Sequence, residues 1–221
     1  MKRFLKYIKS TKGQSLAEFA VTTAMMATLA TTAAPKFSGV GEGAKEKKTL
    51  ADIDKIMKSA NNFYNAKVTG DGRGRFPGQD KYNESVPGGT NTGGTALGYA
   101  TETLCLAAIK GESATFGTFA SADGANWVSV FGTTNPDTKI PTGHKINATE
   151  DDDFDGSFNE YQGAEEFLNE FGGNAVKSPF QDGHYIYTVI PGAGSGTSSI
   201  SPILFIADLE SPKNFHKKLQ P

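Results

Sequence analysis

The 221-residue sequence predicts an α+β protein, with a long N-terminal helix packed on a small antiparallel sheet in a loop-rich head. Three observations predict it. An apolar stretch follows a basic leader, residues 44–66 repeat apolar side chains at helical spacing, and the last third holds two β-rich runs flanking a Gly/Ser-rich loop. The chain is long enough for one ordinary domain with an appendage.

The leader comprises residues 1–13, with Lys2, Arg3, Lys6, Lys9 and Lys12 and no acid. Without those five, 17 basic residues face 24 acidic ones, a net charge of −7. Such a remainder offers no basic face for phosphates, so nucleic acid is excluded as a partner of the head. From Leu16 to Ala34 the chain is apolar or small, apart from Glu18 and five threonines. That is about the minimum length for a membrane span, and the sequence predicts a transmembrane helix here. A conventional signal peptide would be cut after the apolar stretch, where Thr31-Thr32-Ala33-Ala34 offers a passable site. Glu18 argues against it, because a carboxylate in an apolar helix costs about 3 kcal/mol unless it is paired or functional.

The run Gly13-Gln14-Ser15-Leu16-Ala17-Glu18, with Pro35 further on, resembles the N-terminus of type IV pilins, a superfamily that includes the pseudopilins of type II secretion. The resemblance implies cleavage by a prepilin peptidase after Gly13, a methylated N-terminus on Gln14, and Glu18 as the fifth mature residue. Pro35, the twenty-second, stands where the family carries a helix-bending proline. A type IV pilin-like fold is then expected: leader 1–13, helix 14–66 with residues 14–34 as membrane segment and filament core, and head 67–221. The implied function is a structural subunit polymerising into a helical homo-oligomeric filament on an inner-membrane assembly platform. Its location would be the inner membrane before assembly and the periplasm or cell exterior afterwards. In physical terms, the Gln14 amine is a cation placed in an apolar setting, and Glu18 is the anion that neutralises it and fixes register. The stretch departs from the family in being rich in Thr and Ala, and in Gln14 replacing Phe or Met. Threonine hydroxyls can return to helix carbonyls, and small residues let helices approach closely. Short precursors of tight-adherence pili share the glutamate after such a cut.

Pro35, Gly39, Gly41 and Gly43 predict a bend or a melted stretch over 35–43. Helix resumes over 44–66, with Leu50, Ile53, Met57, Ala60 and Tyr64 on one face and Ile56 and Phe63 beside it. Lys45, Lys47, Lys48, Asp52, Asp54 and Lys58 take the polar side. Phe76-Pro77-Gly78 follows as a turn similar to that of major pseudopilins, and residues 82–98 read as a surface loop. A short helix is expected over 102–110, with Leu104, Leu106, Ala107 and Ile109 burying, and Cys105 as a small buried hydrophobe. Trp127, Val128, Val130 and Phe131 suggest a core strand. Residues 185–190 and 203–209 predict an antiparallel hairpin. Ser178-Pro179-Phe180-Gln181-Asp182-Gly183 and Tyr185-x-Tyr187 partly resemble a pseudopilin stretch.

Asp151, Asp153 and Asp155 alternate ahead of Gly156, as in loops where carboxylates converge on Ca²⁺ and glycine permits the turn. Ser157 would supply a carbonyl and Asn159 the ninth position, but Gln162 stands where a closing glutamate is expected. Glu160, Glu165 or Glu166 would close the site instead. A structural calcium ion would screen the aspartates and staple a chain whose lone cysteine allows no internal disulfide. Major pseudopilins carry a calcium site late in the head, which the resemblance extends to this loop. His144, His184 and His216 form no metal or catalytic pattern, and no nucleophile elbow or phosphate loop occurs, so no enzyme is expected. The competing expectation is an exported calcium- or carbohydrate-binding domain behind a conventional signal peptide.

Overall fold

The computed structural model describes residues 2–88, 96–110, 126–132, 162–180, 184–194 and 196–221. Two compact units divide the chain, Met1–Glu46 and Lys47–Pro221. Helix α1, Lys2–Asp71, provides the whole of the described first unit and enters the second. The helix is unbroken through Pro35, Gly39, Gly41 and Gly43, where the sequence alone predicts a bend or a melted stretch. Proline removes one backbone donor, and each glycine costs about 1 kcal/mol relative to alanine. A helix already nucleated on either side absorbs such local penalties, because each further residue adds a hydrogen bond.

One expectation is overturned in this helix. No helix among the described residues is long and apolar enough to cross a membrane. The physical reason lies in the composition of the stretch: threonine and alanine occupy positions where Leu, Ile or Val would supply the transfer energy, and Glu18 subtracts from it.

The second unit is α+β. Strands β1 (Val128–Ser129), β2 (Tyr185–Ile190), β3 (Ile203–Asp208) and β4 (His216–Leu219) form an antiparallel sheet in the order β1-β2-β3-β4. The predicted hairpin is β2–β3, in register from Tyr185 opposite Asp208 to Ile190 opposite Ile203. β1 covers only the first part of β2, and Val86 completes that edge by exchanging two backbone hydrogen bonds with Val189 at 3.0 and 2.9 Å. The segment expected to be a surface loop therefore contributes a fully buried valine to the sheet.

Every residue of β2 is buried, because both faces of the sheet are covered. On one face Tyr185, Tyr187, Val189, Leu204 and Ile206 pack with Ile53, Ile56 and Ala60 of α1 and with Phe167 of α3 (Gln162–Glu170). On the other face Ile186, Ile190, Phe205 and Ala207 pack with Trp127 and with Cys105 and Ile109 of α2 (Glu102–Lys110). Each large side chain so enclosed contributes about 1.5–3 kcal/mol of hydrophobic free energy. Cys105 is buried as expected, and burial pushes its thiol well up, with the charge of Glu102 adding to the effect. Leu104, expected in the core, is 55 % exposed.

The buried face of α1 is rotated from the predicted stripe. It runs through Thr49, Asp52, Ile53, Ile56, Ser59, Ala60 and Phe63, while Leu50 is exposed. Asp52, expected on the solvent side, is 2 % exposed. Its carboxylate bonds Lys48 at 2.7 Å and Lys55 at 2.9 Å, and the Tyr185 hydroxyl donates to it at 3.4 Å. Burial pushes the carboxyl up, but the hydrogen bonds and charges of the two lysines outweigh it and hold Asp52 below its ordinary range.

Candidate assembly surface

Between residues 16 and 29 the side chains of α1 are exposed throughout. Leu16, Phe19, Val21, Met25, Met26 and Leu29 are each 53–74 % exposed. Large apolar side chains left exposed along a helix mark it as a surface for contact with another apolar surface. At 100° per residue, Ala17, Ala20, Ala24, Ala27, Thr28 and Thr31 fall on one side. Phe19, Thr22, Met25, Met26 and Leu29 fall on the other, together with Glu18. One side is mostly small, with Val21 and Leu16 at its margins, and the other carries most of the large side chains.

The threonines behave as expected. Thr23 donates to the Phe19 carbonyl at 2.7 Å, Thr22 to Glu18 and Phe19 at 3.0 Å, Thr28 to Ala24 and Met25 at 3.1 and 2.9 Å, and Thr31 to Thr28 at 3.0 Å. With the hydroxyls returned to the helix, no outside partner is needed for them, and the methyl groups remain for packing. The Glu18 carboxylate is exposed and has no partner among the described residues. Gly13, Gln14 and Pro35 lie within α1, and their side-chain surroundings fall outside the described residues.

Asp151, Asp153, Asp155, Ser157, Asn159 and Glu160 lie outside the described residues, as does His144. Among the described residues no group of three or more His, Cys, Asp or Glu side chains could hold a metal. Of the residues considered as a closing ligand, Gln162, Glu165 and Glu166 stand on α3. Glu166 is already engaged: Arg75 donates to both of its oxygens at 3.1 and 2.7 Å, the Gly78 amide at 2.8 Å and the Gln162 amide at 3.2 Å. Glu165 is exposed. The Phe76-Pro77-Gly78 turn thus docks on α3 through Glu166.

The described histidines sit among hydrogen-bond partners. His184 shares a hydrogen bond through Nε2 with the Ser129 hydroxyl, and His216 meets the Pro212 carbonyl through Nδ1 at 2.8 Å. Ser129 is 1 % exposed and His184 8 %, so the pair is buried. Sequence reasoning missed the β4 lysines: Lys217 bonds Asp54 on α1, and Lys218 bonds Glu102 on α2 at 2.5 Å. Alternation along the strand sends the two to opposite faces, a relationship invisible until β4 is recognised as a strand.

Comparison with protein-family models, with curated proteins and with solved structures finds no match.

Proposed function

We propose that this chain is a structural subunit of a helical filament of the type IV pilin kind, and that its second unit takes a pilin-like fold. The observation that carries the reading is the belt of large apolar side chains from Leu16 to Leu29, exposed on a helix whose threonine hydroxyls are satisfied internally. The cover assigned to this belt is the same helix of other copies. The prominent side of one helix seats on the alanine and threonine side of the next, a heterologous contact that repeats without closing and so builds a filament. Glu18 stands on the prominent side with no partner among the described residues, placed to meet the Gln14 amine that prepilin peptidase would create by cutting after Gly13. Assembly at an inner-membrane platform belongs to the same reading, and a calcium ion held by the 151–159 loop would be structural.

The competing reading is an exported domain released near Pro35, a cut that falls in the same helix as the cut after Gly13. Mass spectrometry of the mature N-terminus separates the two. Gln14 at the terminus and filaments in material sheared from cells are expected, and a terminus near Pro35 overturns the reading. Glu18→Gln should abolish sheared filaments while the chain still accumulates. Filaments at the wild-type level would remove Glu18 from assembly.

A further inference from the structure

Two carboxyl groups are buried among the described residues, and they are served unequally. Asp52 has two lysines, whereas Asp208 has no cation within ion-pair distance among the described residues and is 0 % exposed. Asp208 ends β3 opposite Tyr185, donates its own N–H to the Phe215 carbonyl at 2.9 Å, and accepts the Glu210 N–H on Oδ1 at 3.0 Å. Its Oδ2 has no hydrogen bond of ordinary geometry among the described residues, although the Ser178 hydroxyl and the Ser211 amide both favour the ionised carboxyl. An ionised carboxylate seeks donors on both oxygens, so the enclosure penalises the charged form more than the neutral acid.

The groups around it do not supply a counter-charge. From β2 the neighbour is Tyr185, whose hydroxyl is shared with Asp52 of α1, and Asp52 in turn occupies Lys48 and Lys55. From the turn beyond β3 comes Glu210, whose charge opposes that of Asp208, and from the segment before β2 come Ser178 and the Lys177 carbonyl, which takes Lys48. The His184 carbonyl accepts the Leu209 N–H, and His216 of β4 pairs with Ala207.

We propose that Asp208 is a proton-operated latch on β4: neutral, it stays sealed under the turn 209–215 and holds the last strand on the sheet, and ionised, it opens that turn and frees the strand. The turn is the element that gives way. It is built on Asp208 through the Glu210 and Phe215 contacts, and it leads into an edge strand with one sheet neighbour and half-exposed side chains. β1, β2 and β3 are buried and offer no comparable exit. Opening would also release Lys217 from Asp54 and Lys218 from Glu102, uncoupling the strand from both helical layers.

Burial pushes the Asp208 carboxyl up to about 6, against the opposing pull of the Ser178 side chain and the Glu210 amide. The folded state therefore binds this proton more tightly than the open state, where an ordinary aspartate titrates near about 3.9. Closure gains stability as pH falls from about 6 to about 4, and the gain is absent above about 6.

Amide hydrogen exchange on the full chain across pH, corrected for intrinsic rates, tests the latch. In the wild type, residues 209–219 should lose protection by up to about tenfold per pH unit from about 4 to about 6 and then level off, while β2 stays protected. Asp208→Asn keeps the shape and removes the proton, so its profile for 209–219 should be flat. A wild-type profile without this step, or the same step in Asp208→Asn, overturns the proposal. Should the variant fail to fold, carbon-detected titration of the wild-type Asp208 carboxyl decides: a midpoint near 6 supports the latch, and one below about 4.5 overturns it.

Discussion

Arg75 grips Glu166 in a two-pronged ion pair at 3.1 and 2.7 Å, with both side chains largely withdrawn from water at 13 % and 16 % exposure. The pair joins the turn after α1 to α3 across 91 residues of sequence. Removing one partner leaves a largely enclosed charge, which costs more than the pair itself contributes. Arg75→Met should lower unfolding free energy by about 3 kcal/mol in urea titration, and Arg75→Met combined with Glu166→Met by less than the two single changes together.

Gly163 opens α3 directly over the Tyr187 hydroxyl, which an added Cβ would overlap, and the Gly78 backbone lies just beyond at 3.1 Å. Gly163→Ala should therefore destabilise by about 2 kcal/mol despite alanine's better helix propensity. Adding Tyr187→Phe removes the clashing oxygen and should recover part of the loss, a coupling readable by thermal unfolding of the four variants.

Asp52 sets an acid limb. Its folded carboxyl lies below the ordinary value, so the stability it brings is present at neutral pH and is lost as pH falls through the folded value. Asp52→Asn should cost about 2 kcal/mol at pH 7 and make the acid side of the stability profile shallower. Equal steepness in the two proteins would show that other carboxylates set that limb.

Gly39, Gly41 and Gly43 have nothing within 4 Å of an added Cβ. Within one subunit, then, Gly41→Ala should raise helicity and stability by about 1 kcal/mol. If a neighbouring helix packs against the bare backbone at Gly41 in a filament, the same change should reduce filament yield. Circular dichroism and sheared-filament recovery report the two effects separately.

The parts legible in the sequence were those with local causes. The β2–β3 hairpin follows from two β-branched and aromatic runs, and α2 spans the residues 102–110 expected of it. Threonine back-bonding was foreseeable because it involves carbonyls three and four residues away. What escaped depended on distant partners. Asp52 looks like a surface residue until Tyr185, 133 positions on, is seen opposite it. β4 reads His-Lys-Lys-Leu and lacks strand propensity; it is an edge strand held by cross-layer ion pairs. The N-terminal stretch has the length of a membrane span, but its threonines and alanines withhold the necessary hydrophobicity.

The tie between Lys217 and Asp54 links positions 163 residues apart. Ile53, Ile56 and Ala60 emerge early in synthesis, yet the sheet they bury against is not finished until β4 has been made. Throughout that interval they are bare to whatever surrounds the growing chain, beside the equally bare belt of Leu16 to Leu29. Loop closure on this scale comes late and slowly, so these side chains stay open to non-native contacts until β4 has been made.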